Sequence, residues 1–230
     1  VAIVGPSKSL MYTEANGKYI DSFDVVVRIN KGLGVVNRDY SGSKTDVMYN
    51  SLDLHPASGG RVITLELENA GVKFVRSPYP ISEAVHNPLI YSDPSFKEVI
   101  SKFSIGHIDP TLYLAIKKET NSRVNSGLGA IIDLLSFDLS KLYVTGIDFY
   151  RSSYLHDYNS HKKWETKKDT EVDLEFLDYD DSNHHNPDRQ YKFFKKIYKK
   201  DDRIELDSFM SKVINNSIYD NWDTIPSSGY

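Results

Sequence analysis

The sequence contains no cysteine, which is the most informative of its absences. Without a thiol, the chain forms no disulfide, holds no thiolate-bound metal and has no cysteine nucleophile. It also lacks any apolar run of about 18 residues, so no membrane-spanning helix is predicted. Positive charge is not in excess, because 28 lysine and arginine residues face 32 aspartate and glutamate residues, for a formal net charge of −4. The chain as a whole therefore has no electrostatic attraction for nucleic acid.

What the chain does contain is typical of one large α/β domain. Its 230 residues, 40% of them hydrophobic, can bury a substantial core. Short β-branched segments alternate with segments of helical spacing, which predicts a Rossmann-like, mostly parallel sheet with flanking helices. The predicted strands are 1–4, 23–30, 45–50, 61–65, 72–75, 142–145 and 203–206, and the predicted helices are 95–103, 111–118, one that begins at Ser126, 189–200 and 208–213.

We expect residues 1–230 to form a single domain. Within it, residues 151–184 are charged and aromatic, a composition found in mobile lids and also in ordinary solvated insertions. We expect this segment to be a small lid. Residues 215–230 are polar and are expected to be a loosely held tail.

The segment 121–154 has the most distinctive chemical pattern in the chain. A helix is predicted to begin at Ser126 and Gly127, where small side chains leave backbone N–H groups uncovered. The helix dipole adds partial positive charge at that point, so an anionic group is favoured there. Arg123, in the preceding loop, adds a full positive charge. The start of this helix is therefore a candidate anion site.

The strand 142–145 leads to a second set of polar residues in the same segment. A turn after the strand delivers Asp148, Tyr150 and Tyr154 to the strand's carboxyl end. That end of a parallel strand is where open α/β sheets bind their ligands. Together with the helix start, these residues predict one donor-rich pocket for an anionic ligand.

Two earlier predicted strands end in asparagine, at Asn30 and Asn50. Asparagine at a strand end is most often a turn former, because its side chain mimics a backbone turn. In a parallel sheet, however, both carboxamides would lie at the same edge as Tyr150 and could bind a base, a ribose or a sugar hydroxyl. The first strand leads into the loop Gly5-Pro6-Ser7-Lys8-Ser9-Leu10, whose spacing is not G-x-G-x-x-G, so dinucleotide binding is only weakly supported.

A clear helix-start signal follows residue 184. Asn186 is the predicted N-cap, Pro187 the first helical residue and Asp188 a first-turn acid. His185 therefore lies immediately before this helix, whose positive end disfavours a protonated imidazole. The lysines of the helix are most simply a solvated face, with an anionic membrane or an acceptor as the alternative; they are Lys192, Lys195, Lys196 and Lys199.

Two groups of residues have side chains that metals prefer. Asp178 and Asp180 form a D-x-D pattern, and His156, Asp157 and His161 could supply zinc ligands. No strand precedes the acidic pair, which we interpret as a solvated run, and the histidine spacing does not favour zinc. We therefore predict no metal site and no cofactor.

Four pieces of the chain resemble bacterial sialyltransferases of glycosyltransferase family 42. They are Asn121-Ser122-Arg123 followed by Ser126-Gly127, then Gly146-Ile147-Asp148-Phe149-Tyr150 with Ser152-Ser153-Tyr154, then the strand ends Arg28-Ile29-Asn30 and Tyr49-Asn50, and finally His185 with its helix.

The chain is also similar to glycosyltransferase family 29. The similarity to that family's long sialyl motif covers residues 1–5, 20–24, 27–30 and 42–45. His156-Asp157-Tyr158 is similar to its aromatic motif, and His185 with Gln190 five residues later is similar to its very short motif.

These resemblances imply a glycosyltransferase A-type variant of the Rossmann-like fold. They imply inverting, metal-independent transfer of sialic acid or a related ulosonic acid from its CMP conjugate to a glycan hydroxyl. His185 would be the general base, and Tyr150 and Tyr154 would donate to the departing phosphate. Arg123 would bind the sugar carboxylate through its guanidinium fork. The implied donor-binding residues are Gly5, Ser7, Ser9, Asn30, Asn50, Arg123, Ser126, Gly127, Asp148 and His156.

Two positions depart from the family pattern. Pro6 replaces an asparagine that both families place after the first glycine, and Asn125 replaces a small or hydroxyl residue. The alternatives to a sialyltransferase are a transferase for CMP-Kdo or another CMP-ulosonate, an inactive nucleotide-binding module, and a Rossmann dehydrogenase, which the glycine spacing disfavours.

The expected partners are the CMP-sugar donor and a glycan acceptor, with no nucleic acid. Peripheral association with the inner face of a membrane and assembly into a homo-oligomer are both compatible with the sequence. Animal members of family 29 carry a cysteine pair that this chain lacks. This absence favours a microbial or viral chain in a reducing compartment, so the expected location is the cytoplasm.

Overall fold

The computed structural model describes residues 1–30, 32–33, 37–52, 61–83, 88–152, 154–155 and 185–216. These residues form seven strands and eight α-helices. The strands are β1 (Ala2–Val4), β2 (Val26–Ile29), β3 (Val47–Tyr49), β4 (Phe74–Ser77), β5 (Ser104–His107), β6 (Leu142–Thr145) and β7 (Ile204–Leu206). The helices are α1 (Gly17–Asp21), α2 (Arg38–Ser41), α3 (Thr64–Ala70), α4 (Pro94–Lys102), α5 (Pro110–Thr120), α6 (Ser126–Leu135), α7 (Pro187–Tyr198) and α8 (Ser208–Asn215).

All seven strands are parallel and lie in one sheet, in the order β5-β4-β3-β2-β1-β6-β7. The chain builds outward from β1 to β5, then returns to place β6 on the other side of β1. The strand order therefore reverses between β1 and β6. In open α/β sheets, ligands bind at such a reversal, outside the carboxyl ends of the strands. The predicted Rossmann-like α/β fold is confirmed, while its assignment to the A-type variant stays a prediction.

The central strands are buried on both faces, as expected for a parallel sheet covered by helices. Because side chains alternate along a strand, Ile3 joins one core cluster and its neighbours Ala2 and Val4 join another. The Ile3 cluster takes its helical side chains from α5, α6, α7 and α8. These four helices thus cover one face, and they include both helix starts that the sequence marks as functional.

Most predicted elements are confirmed, and β6 matches to the residue. The predicted strand 61–65 is wrong, because helix α3 begins within it at Thr64. Thr64 and Leu67 are buried while Leu65 is 63% exposed, so the apolar spacing is that of a helix. Strand β5 was not predicted: it pairs only with β4 at the edge of the sheet, and its sequence Ser-Ile-Gly-His has no apolar run.

Part of the predicted lid, residues 153 and 156–184, lies outside the described residues, as does the tail from 217 onward. Asn215, predicted as the start of the tail, ends helix α8. The longest described helix, α7, has 12 residues, and no helix in the described part of the chain could cross a lipid bilayer.

Candidate active site

The backbones that follow β1 and β6 meet at the strand-order reversal. Gly5 N–H donates to Thr145 O at 2.8 Å, and Ser7 N–H donates to Gly146 O at 3.0 Å. A Cβ atom on Gly5 would lie 2.1 Å from Gly146 O, so only glycine allows this approach. Gly5, a predicted donor-binding residue, therefore has a packing role that accounts for its identity.

Ser7, Ser9 and Asp148 form a hydrogen-bonded cluster at the same place. Ser7 Oγ donates to Asp148 Oδ2 at 2.6 Å, and Ser152 Oγ donates to the same oxygen at 2.5 Å. Ser9 donates to Ser7 Oγ through both its N–H and its hydroxyl. Burial raises the pKa of Asp148, although its two serine donors oppose this change. Asp148 is 3% exposed, and its carboxylate connects the loop that follows β1 to the loop that follows β6.

Tyr150 and Tyr154 lie side by side after β6. Their ring centroids are 6.1 Å apart and the ring planes cross at 74°. Tyr154 forms an antiparallel bridge with Ser7, and Leu155 N–H donates to Pro6 O at 2.9 Å. The backbone of Tyr154 is thereby held against the loop that follows β1. The structure brings both predicted phenols to the strand-order reversal.

Tyr150 also interacts electrostatically with the loop before α6. Burial raises the pKa of Tyr150 to about 12. Among the smaller influences on this pKa, the hydrogen bond with Tyr154 and the charge of Arg123 lower it, whereas Tyr79 raises it. The Arg123 guanidinium lies 5.3 Å from the centre of the Tyr79 ring. Tyr79 OH in turn lies 3.5 Å from Ser126 Oγ. Tyr79 thus belongs to the site, yet no pattern in the sequence distinguishes it from a core aromatic residue.

Helix α6 begins as predicted, with its first turn at this edge of the sheet. Asn125 is the N-cap, and its Oδ1 accepts from Leu128 N–H at 2.8 Å. The N–H of Gly129 begins the intrahelical ladder by donating to Asn125 O. The N–H groups of Ser126 and Gly127, earlier in the first turn, take part in neither of these two bonds. They remain the anion-binding candidates of this helix.

His185 is fixed to the same loop by a hydrogen bond across 62 residues of sequence. Its Nδ1 lies 2.9 Å from the backbone oxygen of Arg123. A carbonyl oxygen only accepts, so Nδ1 carries the proton and the neutral ring has its lone pair on Nε2. Asn186, directly after His185, caps α7 by accepting from Arg189 N–H at 3.0 Å, which confirms the predicted helix start. The position just before α7 thus places an imidazole beside Arg123.

Asn30 and Asn50 follow β2 and β3, and the structure shows the turn-forming role for both, while ligand binding stays a prediction. Asn30 Oδ1 accepts from Ser51 N–H at 3.0 Å, and Asn50 Oδ1 accepts from Leu52 N–H at 2.7 Å. Both side chains are therefore turn formers. Asn50 Nδ2, however, is buried and has no hydrogen-bond partner among the described residues. Most buried polar atoms in folded proteins have a hydrogen-bond partner, so this unpaired amide needs an explanation.

Backbone strain concentrates at the same edge. Five described residues other than glycine have positive φ, and four of them follow carboxyl ends of strands: Asn30 at 51°, Leu52 at 55°, Phe149 at 53° and Tyr150 at 64°. Two consecutive bulky residues in this region cost free energy, and such residues cluster at functional sites. The strain thus marks the same location as the polar residues.

Arg151 connects this edge to α7 and was not singled out from the sequence. Its Nη1 donates to Phe149 O at 2.8 Å, and its Nη2 lies 3.1 Å from Asp188 Oδ1. The guanidinium also lies 4.0 Å from the centre of the Tyr191 ring. Arg151 therefore sets the strand-end loop with Tyr150 against the helix that follows His185.

Several predicted residues lie outside the described part of the chain. They include His156, one of the predicted donor-binding residues, and the metal candidates Asp157, His161, Asp178 and Asp180. Among the described residues, no three histidine, aspartate or glutamate side chains are grouped as a metal ion requires.

No protein-family model matches the sequence, and no curated protein matches it either. Among solved structures, the chain is similar to a mammalian sialyltransferase, with a TM-score of 0.51 and 18% identity over 89% of this chain and 67% of that protein. The sialyltransferase CstII from Campylobacter jejuni, solved with the substrate analogue CMP-3FNeuAc, gives a TM-score of 0.47 and 16% identity over 89% of this chain and 78% of its own. The likeness to the mammalian structure shows that this chain has the fold of a sialyltransferase.

Proposed function

We propose that this chain is a glycosyltransferase that moves sialic acid, or a related ulosonic acid, from a CMP donor to a glycan hydroxyl with inversion. The sequence motifs and the shared fold support the reaction class. The observation that carries the proposal is the hydrogen bond from His185 Nδ1 to Arg123 O. It joins a candidate base to the loop that supplies both a cation and the start of helix α6.

The anionic part of the donor sugar binds at the start of α6. Arg123 Nε is buried and has no partner among the described residues. The N–H groups of Ser126 and Gly127 follow it by three and four residues, at the positive end of the helix. A carboxylate matches both the guanidinium fork and these N–H groups.

Tyr150 and Tyr154 stabilise the leaving group. The bond from the anomeric carbon to the phosphate oxygen breaks, and its electron pair leaves with CMP. Because the pKa of Tyr150 is about 12, its phenol stays protonated at neutral pH and can donate to the phosphate as negative charge grows. No metal ion takes part in this step.

His185 accepts the proton of the acceptor hydroxyl through Nε2. The acceptor oxygen forms its bond to the anomeric carbon on the face opposite the departing phosphate, so the configuration inverts. The bond from Nδ1 to Arg123 O orients the ring and stabilises the imidazolium that forms. The products are a glycoside, CMP and a proton that passes to solvent.

The nucleotide binds along the ends of β2 and β3. Asn50 Nδ2 is the candidate donor to a ribose hydroxyl or a cytosine carbonyl, because it is buried and has no partner among the residues the structure describes. Pro6, which has no N–H, offers only its carbonyl, and that carbonyl already accepts from Leu155.

The test is CMP release from a panel of donors: CMP-sialic acid, CMP-Kdo and a CMP-pseudaminic acid, each with and without EDTA. We expect release from at least one donor, insensitivity to EDTA, and a fall of about 10²–10⁴-fold in His185→Ala. His184→Ala is the matched control and should retain release within about threefold.

Strict dependence on manganese would contradict the metal-free mechanism. An equal loss in both histidine variants would contradict the role of His185. A chain that binds CMP but releases none from any donor would instead be an inactive nucleotide-binding module. Preference for CMP-Kdo would keep the mechanism and change the donor.

A further inference from the structure

Gln190 is the only glutamine of the chain, and it is fully buried in the first turns of α7. Its whole carboxamide is used on the loop before α6. Oε1 accepts from Asn125 N–H at 3.0 Å, while Nε2 donates to Arg123 O at 2.8 Å and to Ser122 Oγ at 3.3 Å. Because a backbone N–H can only donate, the bond to Asn125 requires Oε1 on that side and places the NH₂ group at Arg123 O.

The oxygen of Arg123 thus accepts two hydrogen bonds, one from Gln190 Nε2 and one from His185 Nδ1 at 2.9 Å. A carbonyl has two lone pairs, so these two donors use its capacity. The amide of Gln190 therefore sets where this oxygen lies and which lone pair remains for the imidazole. The position of the carbonyl in turn decides which ring nitrogen of His185 carries the proton.

We infer that Gln190 is a positioning residue: through Arg123 O it holds His185 in the tautomer with Nδ1 protonated, so that Nε2 carries the lone pair. The importance of that tautomer for catalysis rests on the proposed function. Three hydrogen bonds join the base, the Arg123 residue and the N-cap of α6 into one unit. They run from Asn125 N–H to Gln190 Oε1, from Gln190 Nε2 to Arg123 O and from His185 Nδ1 to Arg123 O. A shift of α7 therefore moves all three groups together.

The side chain at position 190 must donate a hydrogen bond to Arg123 O for this arrangement to hold. A glutamate could still accept from Asn125 N–H, but its second oxygen would face the carbonyl of Arg123. Two acceptors cannot bond each other, so an ionised glutamate would turn the carbonyl away and leave Nδ1 of His185 without its partner. Because burial favours a protonated carboxyl, which could still donate, the spectra of this variant are recorded at a pH at which the glutamate is ionised.

The test uses ¹⁵N–¹H correlation spectra of the histidine rings in the full chain without substrate, with the His185 signals assigned by their loss in His185→Ala. In the natural chain we expect the Nδ1-protonated tautomer at His185. In Gln190→Glu we expect that tautomer to fall below half of the neutral population and kcat to fall by about 10²-fold, because the base is misplaced. Lys192→Glu, which puts a carboxylate on the exposed side of the same helix, is the control and should change neither.

Gln190→Met, which has a similar volume and no amide, is the second variant if the glutamate variant does not fold. We expect the same change of tautomer there. An Nε2-protonated ring in the natural chain, or an unchanged tautomer and kcat in a folded Gln190 variant, would overturn the inference. Because the spectra need no donor, they decide the tautomer even if the chain releases no CMP.

Discussion

Two polar clusters of this protein are built from similar residues and differ in how fully their atoms are paired. The interior cluster comprises Tyr49, Arg76 and Asp133. Tyr49 OH donates to Asp133 Oδ2 at 2.6 Å, and Arg76 donates to the two carboxylate oxygens at 2.8 and 3.1 Å. Burial raises the pKa of Tyr49, and Asp133 raises it further. This cluster connects β3, β4 and α6, and it is complete without a ligand.

The second cluster is the edge site, which comprises Arg123, Asn50, Tyr150, Tyr154 and His185. Here Arg123 Nε and Asn50 Nδ2 are buried without partners in the described part of the chain, and the backbone at Tyr150 is strained. Unpaired buried donors and strain both lower stability. Under the proposed function, the interior cluster stabilises the fold, whereas the edge site keeps donors available for the CMP donor.

The largest effect is expected at the interior cluster. Asp133→Ala leaves Arg76 and Tyr49 without their acceptor and should lower the free energy of unfolding by about 3–5 kcal/mol. Because the Arg76 side chain is 25% exposed, we expect the lower end of that range. Urea denaturation of the purified variant measures the change.

Glu68→Ala is the control for this prediction. It removes an exposed ion pair with Lys102, 2.9 Å long, and should change the free energy of unfolding by less than about 1 kcal/mol. If both variants lost the same stability, the interior cluster would have no special role in the fold.

The second largest effect is expected at the edge site. It should lower the rate of CMP release and leave the thermal stability nearly unchanged. Tyr150→Phe removes one hydroxyl donor and should lower kcat for CMP release by about 10²–10³-fold. Thermal unfolding should change little, because the ring stays in place beside Tyr154. A large loss of stability with normal kcat would reverse the assignment of the two clusters.

The smallest effect is expected at Asn50. Asn50→Asp keeps the oxygen that accepts from Leu52 N–H and removes the amide donor. If Nδ2 binds the nucleotide, the Kd for CMP should rise at least about tenfold, because one hydrogen bond is lost and the new carboxylate repels the anionic nucleotide. Calorimetric titration with CMP measures this. An unchanged Kd would show that the unpaired amide does not serve the nucleotide.

Local sequence patterns were sufficient for several elements of this protein. The Asn186-Pro187-Asp188 signal marks the start of α7 because capping depends on residues three positions apart. Strand β6 was found because its sequence, Leu-Tyr-Val-Thr, suits a strand whose four residues are all buried. The start of the helix at 64–70 was missed because residues 61–65, Arg-Val-Ile-Thr-Leu, are rich in β-branched residues, and only packing decides which of them are buried.

The sequence by itself determined the α/β class, the starts of α6 and α7 and the kinds of side chain at the strand ends, because these depend on neighbours within a few residues. Only the tertiary structure decided that Asp148 binds Ser7, 141 residues away, and that His185 binds the carbonyl of Arg123. It also decided that Gln190, 65 residues from Asn125, connects α7 to α6. The physical reason is that hydrogen-bond partners so distant in sequence are selected by strand order and helix packing, which no local pattern encodes.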